Sequence, residues 1–240
     1  MAIIQTLPDP AALAEAAAHY FVACARESIA EHGRFTVALA GGSTPQALYA
    51  QLATIEFASQ VSWEKVHIFW GDERCVAASH DDSNFRMASE TLLKHAPIPE
   101  GQVHRLPGEL DPKEAAQSYE SLLQTFFTPQ QARFDLIWLG LGSDGHTASL
   151  FPGSKALEEK QRWVVANYVR KLSAWRLTMT IPLINQAARV AFLVSGPEKA
   201  AVLRRALAGR YAPEEIPAQL VRPERGQLRW FVDRAAAEFI

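Results

Sequence analysis

Short apolar runs alternate with longer helical patterns along this chain. Four runs are nearly continuous in apolar, β-favouring residues, which is typical of strands covered on both faces of a parallel sheet. These runs are 35–40 (FTVALA), 66–70 (VHIFW), 134–141 (FDLIWLGL) and 190–194 (VAFLV). Residues 163–169 and 177–181 are further strand candidates, and 3–6 and 230–232 are candidates for edge strands.

Helical patterns separate these runs, at 10–31, 45–52, 84–93, 112–127 and 198–208. Alternation of strands with helices builds βαβ units, in which the strands are parallel. The sequence therefore predicts an open α/β sheet. The Pro-rich and charged stretch 212–225 is interpreted as a loop, and nothing before it marks a boundary, so residues 1–240 are predicted to form a single domain.

Polar, turn-rich segments follow the four strongest strand candidates. They are 41–45 (GGSTP), 71–74 (GDER), 142–147 (GSDGHT) and 195–199 (SGPEK). The carboxyl ends of parallel strands share one edge of a sheet, and ligands bind in the crevice at that edge. We therefore expect these four segments to converge in space.

Composition narrows the class of protein. The chain has 240 residues, of which 48% are hydrophobic and 21% charged, and acidic residues outnumber basic ones by 26 to 24. This balance disfavours broad electrostatic binding to nucleic acid or to anionic membranes. Two cysteines exclude a disulfide-dense scaffold. No run reaches the roughly 20 apolar residues of a membrane span, and the N-terminus lacks a signal-peptide pattern. A soluble cytoplasmic protein is expected.

The GGSTP segment has the features of an anion site. Gly41 and Gly42 allow the backbone to approach a ligand, and the helix that follows presents free N–H groups at its N-terminus. Ser43 or Thr44 can cap that helix, and Pro45 suits its first turn. A plain capped turn is the alternative. The segment matches neither nucleotide-binding glycine motif, so no nucleotide is indicated.

Two segments carry candidate catalytic groups. Asp72 and Arg74 can supply a base and a positive group for an oxyanion, or they belong to a solvated surface cluster. His146 lies between small residues in a glycine-rich turn two residues after Asp144, a setting that favours a general base over a structural histidine.

Isolated basic residues complete the candidate site. Arg176 precedes the strand candidate 177–181, and Lys199 occupies a first helical turn, where a cation works against the helix dipole. Metal chemistry has little support, because neither H-E-x-x-H nor C-x-x-C occurs. The segment His80-Asp81-Asp82 can hold a cation, but a polar loop is the more common outcome. No metal and no cofactor are predicted.

These motifs together resemble the 6-phosphogluconolactonase family, in the superfamily that also holds glucosamine-6-phosphate deaminases. The blocks that carry the resemblance occur in the same order: AGGSTP, GDER followed by DSN, GxGxDGHTASLFPG, RLTMTIP and SGxxKA, within residues 35–201. The resemblance implies a Rossmann-like fold, with an open, mostly parallel sheet and helices on both faces. It also implies hydrolysis of 6-phospho-D-glucono-1,5-lactone, the second step of the oxidative pentose phosphate pathway.

The same resemblance implies roles for individual residues. His146 is the catalytic base, Asp72 matches an acidic active-site position and Arg74 a position typical of lactonases. Substrate phosphate is bound by Arg176 and Lys199 with a loop that consists of Gly41, Gly42, Ser43 and Thr44. One departure is that the family often has Lys-Pro-Pro before the arginine, whereas this chain has Lys171-Leu172-Ser173.

The mechanism expected from these residues is attack of water on the lactone carbonyl. Neutral His146 takes the proton, either Asp144 or Asp72 orients its ring, and either Arg74 or a backbone N–H stabilises the oxyanion. The partner is a small sugar-phosphate lactone, and the protein is expected to be a monomer or a weak homo-oligomer.

Two other functions stay open. An amino-sugar-phosphate deaminase of the superfamily has a glutamate at the position of Phe151, and Glu-Tyr where Glu73-Arg74 follows Asp72, so both positions favour the lactonase. A sugar-phosphate-sensing regulator would need a DNA-binding extension, and this chain of 240 residues leaves no room for one.

Overall fold

A computed structural model describes residues 2–127 and 133–240. Its ten strands are β1 (Ile3–Leu7), β2 (Phe35–Leu39), β3 (Val66–Trp70), β4 (Asp72–Arg74), β5 (Val103–His104), β6 (Leu136–Gly140), β7 (Val164–Val169), β8 (Ala174–Met179), β9 (Arg189–Val194) and β10 (Gln227–Asp233). Its α-helices are α1 (Pro10–His32), α2 (Ser43–Leu52), α3 (Ile55–Ala58), α4 (Asn84–Ala88), α5 (Pro112–Phe126), α6 (Ile181–Ile184) and α7 (Ala200–Ala208).

Seven strands form one parallel sheet in the order β1-β10-β9-β6-β2-β3-β5, with helices packed around it. This arrangement confirms the predicted α/β fold. The remaining three strands form a small antiparallel sheet in the order β4-β8-β7. Within the described ranges, no helix has the length and apolar character needed to cross a membrane.

The apolar runs form the core of the large sheet. All five residues of β2 are buried, and β3, β6 and β9 contribute fully buried aromatic side chains such as Phe69, Trp138 and Phe192. Burial of one such side chain stabilises the folded state by about 1.5–3 kcal/mol. Continuous apolar character is therefore required of these strands, because both faces of the sheet are covered.

Local chemistry sets the bounds of the longest helix, α1. Asp9 caps its N-terminus by accepting a hydrogen bond from the Ala12 N–H at 2.9 Å, and Pro10 occupies the first turn. Gly33 ends the helix in the left-handed region, at φ 84°. The predicted helix 10–31 is therefore confirmed to within one residue.

Several predicted elements were wrong in detail. The strand at 230–232 is not an edge strand, because β1 pairs outside it. The segment predicted as a polar turn at 71–74 contains β4, and β8 starts at Ala174, so Arg176 lies inside a strand. The predicted helix 84–93 has the right bounds, but only α4 is α-helical and its continuation, Ser89–Leu93, is a π-helical stretch.

Candidate active site

A cavity of about 350 Å³ lies at the carboxyl ends of β2, β3 and β6, beside the segment that follows β9. This volume falls in the range of small-molecule sites, about 300–1,000 Å³. The four polar segments do converge here. Eight of the ten predicted site residues line the cavity: Gly41, Gly42, Asp72, Arg74, Asp144, His146, Arg176 and Lys199.

The other two predicted residues, Ser43 and Thr44, form the first turn of α2 instead of the cavity wall. Neither caps the helix. The N-cap is Gly42, at φ 105°, and no side chain accepts a hydrogen bond from the first turn. The N-terminus of α2 therefore keeps unpaired N–H groups beside the cavity, as an anion site requires.

His146 is held by Asp144. Its Nδ1 lies 2.5 Å from Asp144 Oδ1, and its ring stacks on Phe151 with centroids 4.1 Å apart. Lys171 Nζ donates to the other carboxylate oxygen, Oδ2, at 2.9 Å. Partial burial alone would raise the pKa of Asp144, but the hydrogen bonds from His146 and Lys171 outweigh it and lower that pKa to about 2. Asp144 is therefore an anion at neutral pH.

Asp72 has a different set of partners. Its Oδ2 accepts a hydrogen bond from Ser149 Oγ at 2.7 Å, and its Oδ1 and backbone carbonyl accept from Asn84 Nδ2 at 3.3 and 3.0 Å. Of the two carboxylates considered for orienting His146, the one in contact with it is Asp144. Asp72 instead connects β4, α4 and the segment that follows His146.

The adjacent Glu73 is a structural residue. Its buried carboxylate accepts hydrogen bonds from the backbone N–H groups of Arg74, Asn84 and Phe85, each at 2.8 Å, and from Ser83 Oγ. Burial raises the pKa of Glu73, and these backbone hydrogen bonds oppose that rise. Glu73 thereby anchors the start of α4 against β4.

Besides Lys171, three cations line the cavity. Arg74 and Arg176 are directly opposite each other in the β4–β8 pair, and Lys199 ends the short helical turn that precedes α7. Among the described residues, none of the three has an ion-pair partner. Partial burial and the nearby Arg74 lower the pKa of Arg176, although a guanidinium stays protonated in proteins. Like charges directly opposite each other are destabilising, so these cations favour an anion in the cavity.

The turn that carries Lys199 is fixed by Asp233 at the end of β10. Asp233 accepts hydrogen bonds from Ser195 Oγ at 2.6 Å and from the Gly196 N–H at 3.1 Å. Gly196 has φ 102°, a conformation that side-chain-bearing residues rarely adopt. Asp233 is not part of the sequence motifs. It lies at the end of β10 and holds the turn on which Lys199 is placed.

Two glycines make room for side chains of the site. A methyl group on Gly142 would overlap the His146 ring, and one on Gly41 would overlap the Asn84 amide. The sequence predicts close approach of a ligand at Gly41, whereas the structure brings a side chain of the protein to that position. Gly142 does not have a positive φ, so its backbone conformation does not require glycine. Glycine is needed there because the His146 ring occupies the space of a side chain.

Lining residues that the sequence did not assign to the site include Asn84, Ser149, Phe151 and Lys171. Asn84 and Ser149 have a signal in hindsight, since both lie inside the motif blocks and are buried polar residues. The contact of Lys171 with Asp144 has no local signal, because it joins residues 27 positions apart.

Comparisons with known proteins agree with this geometry. The model of the family described as Glucosamine-6-phosphate isomerases/6-phosphogluconolactonase matches residues 8–230. The chain belongs to this family. It is similar to the protein of Synechocystis sp. named 6-phosphogluconolactonase, with 45% identity over 216 residues that cover 88% of this chain and 87% of the relative.

Solved structures show the same fold. That of 6-phosphogluconolactonase from Trypanosoma brucei has a TM-score of 0.87 and 30% identity, and the match covers 99% of this chain and 98% of that one. A monomeric glucosamine-6-phosphate deaminase has a TM-score of 0.82 and 22% identity, over 99% of this chain and all of the other. The fold alone therefore does not separate the two activities.

Proposed function

We propose that this chain hydrolyses 6-phospho-D-glucono-1,5-lactone to 6-phosphogluconate, the second step of the oxidative pentose phosphate pathway. One observation carries the proposal: a single cavity joins a histidine held by an ionised carboxylate to three cations that have no ion-pair partner in the part of the chain that the structure describes. Family membership and the lactonase relative support the same reaction. No sequence feature calls for a cofactor.

His146 is the general base of this proposal. Because Asp144 is ionised, Nδ1 carries the proton that bonds to it, and the lone pair lies on Nε2. Nε2 takes a proton from water as the water oxygen attacks C1 of the lactone. The tetrahedral intermediate then breaks the bond between C1 and the ring oxygen, which receives that proton from the imidazolium. The product is the open-chain acid, which loses its proton to solvent.

The cations supply charge where the substrate is negative. Arg74 stabilises the oxyanion that forms on the carbonyl oxygen, an interaction that exists only in the transition state. Arg176, Lys199 and the N-terminus of α2, with the loop 41–44, bind the phosphate. Asp72 holds Asn84 and Ser149 so that the cavity wall keeps its shape. Phosphate binding remote from C1 positions the ring for attack.

The competing deaminase activity has a specific structural counterargument. The position that carries a glutamate in that branch is Phe151, and its ring stacks on His146. An apolar ring at this position supplies no carboxylate to an amino-sugar reaction. The chain is therefore assigned to the lactonase side of its family.

A paired assay tests this function. The purified chain should accelerate the hydrolysis of freshly made lactone above its spontaneous opening, and it should release no ammonia from glucosamine 6-phosphate. Ammonia release without lactonase activity would reverse the assignment. Inactivity on both substrates in a folded sample would remove it.

The proposal has three further parts. Residues 1–240 act as one domain, and the protein is a monomer or a weak homo-oligomer, which light scattering over a range of concentrations tests. The reaction takes place in the compartment that holds the lactone, since a doubly charged sugar phosphate does not cross a bilayer unaided, and we propose that this compartment is the cytoplasm. Fractionation of the source cells tests that location.

A further inference from the structure

Lys171 lies at the tip of the hairpin that joins β7 to β8. A short helical turn, Arg170–Leu172, forms this tip, and Ser173 ends it in the left-handed region at φ 48°. From there the ammonium reaches Asp144 on a different element, with Nζ 2.9 Å from Oδ2. The other oxygen of the same carboxylate bonds His146. Three side chains from two separate segments thus form a continuous hydrogen-bonded chain.

We propose that Lys171 is a positioning residue for the base: it fixes the Asp144 carboxylate and offsets part of its negative charge, so that Asp144 attracts a proton on His146 less strongly than it would without Lys171. This inference rests on the proposed function for its catalytic consequence. Its physical content, the effect of one side chain on the titration of another, is independent of any substrate.

The direction of the effect follows from electrostatics. An isolated carboxylate beside an imidazole stabilises the protonated ring and so raises its pKa. A general base must be unprotonated to accept the proton from water. The ammonium of Lys171 weakens the attraction of Asp144 for a proton on His146, and it keeps Asp144 ionised, so Nδ1 remains the protonated nitrogen. Lys171, at the tip of the hairpin, thereby supplies a positive charge that the Asp144–His146 pair does not itself contain.

Other charged groups face the same space and must be separated from this effect. Those that line the cavity are Asp72, Arg74, Arg176 and Lys199. From the loop that packs behind the glycine-rich turn, Glu215 is already paired with Arg205 at 2.7 Å. Asp144 is the carboxylate in hydrogen-bond contact with His146, and Lys171 is the cation bound to Asp144. Changes at Lys171 therefore act on His146 through one identified partner.

A different role for Lys171 would be direct binding of the substrate phosphate. Its pairing argues against that role. The cations assigned to the phosphate side lack an ion-pair partner among the described residues, whereas Lys171 is held by Asp144. A phosphate ligand would have to compete for Lys171 with a carboxylate that already accepts three hydrogen bonds, from the His146 backbone N–H, His146 Nδ1 and Lys171 Nζ.

The test compares Lys171→Met with wild type in two measurements. The first is an NMR titration of the His146 Cε1–H signal in the free protein, assigned by its loss in His146→Ala. The second is the dependence of kcat/KM on pH. Loss of a unit charge one carboxylate away from the ring, in partly solvated surroundings, should raise the midpoint of both curves by about 0.5–1 pH unit. The rate on the high-pH plateau should change little.

Two matched variants complete the design. Lys171→Arg keeps the charge and should restore the midpoint to within about 0.2 pH unit of wild type. Arg170→Met removes the neighbouring exposed cation, which has no ion-pair partner in the described part of the chain, and should leave the midpoint in place. A thermal melt of each variant checks that the hairpin change has not unfolded the protein.

An unmoved His146 midpoint in folded Lys171→Met would overturn the proposal. A rise in KM for the phosphorylated lactone at constant midpoint would assign Lys171 to phosphate binding instead. An equal shift of the His146 midpoint in Arg170→Met would show that surface charge in general causes the effect. That result would also overturn the proposal. If the NMR midpoint moves while no variant hydrolyses lactone, the electrostatic inference stands and the proposed function is what fails.

Discussion

Two groups of residues that line the cavity treat charge in opposite ways. In the first group, called here the side of His146, Asp144 is shared between His146 and Lys171, so its negative charge is matched before any ligand arrives. In the second group, called here the side of the unpaired cations, Arg74, Arg176 and Lys199 have no carboxylate partner in the described ranges. A carboxylate held by a cation, as Asp144 is, fixes the tautomer and the orientation of the reacting histidine beside it. Unpaired positive charge is matched only when an anionic ligand binds.

This contrast predicts a division of kinetic effects. Changes on the side of His146 should act mainly on kcat, because they alter the reacting groups. Changes at Arg176 and Lys199, the two cations assigned to the phosphate, should act mainly on KM and should depend on the phosphate of the substrate, whereas loss of Arg74 should act on kcat. If a change beside His146 altered mainly KM, or a change at a phosphate-binding cation altered mainly kcat, the two groups of residues would not have separate roles.

The largest effect is expected from His146→Ala. Loss of a general base lowers kcat by about 10²–10⁴-fold. The fold should survive, because His146 lies on a turn after β6 rather than in the core. Lactone hydrolysis above the spontaneous rate measures the effect, and circular dichroism checks the fold. An unchanged kcat would remove His146 from the mechanism.

A methyl group at Gly142 should break the same side without removing any catalytic group. Gly142→Ala would push the His146 ring away from Asp144, because the new Cβ occupies the position of the ring. Misplacement of a reacting group by about 1 Å costs on the order of 10²-fold in rate. We expect kcat to fall by about that factor, as measured by steady-state kinetics on the phosphorylated lactone.

Gly140→Ala is the matched control for that variant. Gly140 lies two residues earlier and also lines the cavity, but, apart from its own and adjacent residues, no atom of the described ranges lies within 4 Å of a Cβ added there. Its kcat should stay within a few-fold of wild type. Equal losses in the two variants would mean that any methyl group on this strand end is harmful, and the specific role of Gly142 would be disproved.

The side of the unpaired cations is tested by Arg176→Ala. Charge-assisted hydrogen bonds contribute roughly 1.5–3 kcal/mol each, so KM for the phosphorylated lactone should rise by about 10- to 100-fold. If remote binding also positions the ring, kcat falls as well. With unphosphorylated gluconolactone, which wild type should process poorly, the substitution should cost little further. An equal loss on both substrates would place Arg176 at the reaction centre or in folding.

The stability of this variant gives an independent readout. Arg176 is directly opposite Arg74 across the β4–β8 pair, and like charges in that arrangement destabilise the fold. Arg176→Ala should therefore unfold at the same temperature as wild type or slightly above it. Lys199→Ala should likewise raise KM only for the phosphorylated lactone. Its unfolding temperature should not rise, because Lys199 is outside the small sheet.

The sequence predicts the large sheet well for a physical reason. Strands buried on both faces must be apolar throughout, so β2, β3, β6 and β9 stand out in any reading of the pattern. In the small sheet, the candidates 163–169 and 177–181 overlap β7 and β8, whereas β4 carries no such signal. β4 consists of Asp72, Glu73 and Arg74, and its polar side chains are stabilised by partners that are distant in sequence.

The candidate site divides in a similar way. Residues at strand ends, such as His146 and Lys199, could be placed together because parallel strands share one edge. The partner of His146 could not be chosen from sequence, since both carboxylates end up near the same cavity. Packing decides it: Ser149 and Asn84 occupy the oxygens of Asp72, and this leaves Asp144 for the imidazole.

The smallest expected effect is on the free energy of unfolding, to which Asp144 contributes through its bonds to His146 and Lys171. The pKa of Asp144 is lowered to about 2 in the folded chain because the hydrogen bonds from His146 and Lys171 outweigh the effect of partial burial. An unfolded aspartate titrates near 3.9. A carboxylate whose pKa is lower in the folded state contributes stability that is fully present above the unfolded pKa and is lost as the pH falls through the folded one. The stabilisation from Asp144 should therefore disappear between about pH 4 and pH 2.

Asp144→Asn isolates that contribution, although solvent screening limits its size. The side chain is partly exposed, so about 1 kcal/mol is expected at neutral pH instead of the full value implied by the shift. Urea unfolding should show the variant less stable by that amount at pH 7, and the difference should vanish as the pH approaches 2. Glu56→Gln, at an exposed position on α3, should show no such dependence. A difference that stayed constant down to pH 2 would mean that Asp144 stabilises the turn by shape rather than by charge, and the contrast between a charge-matched and an unmatched side of the cavity would lose its energetic basis.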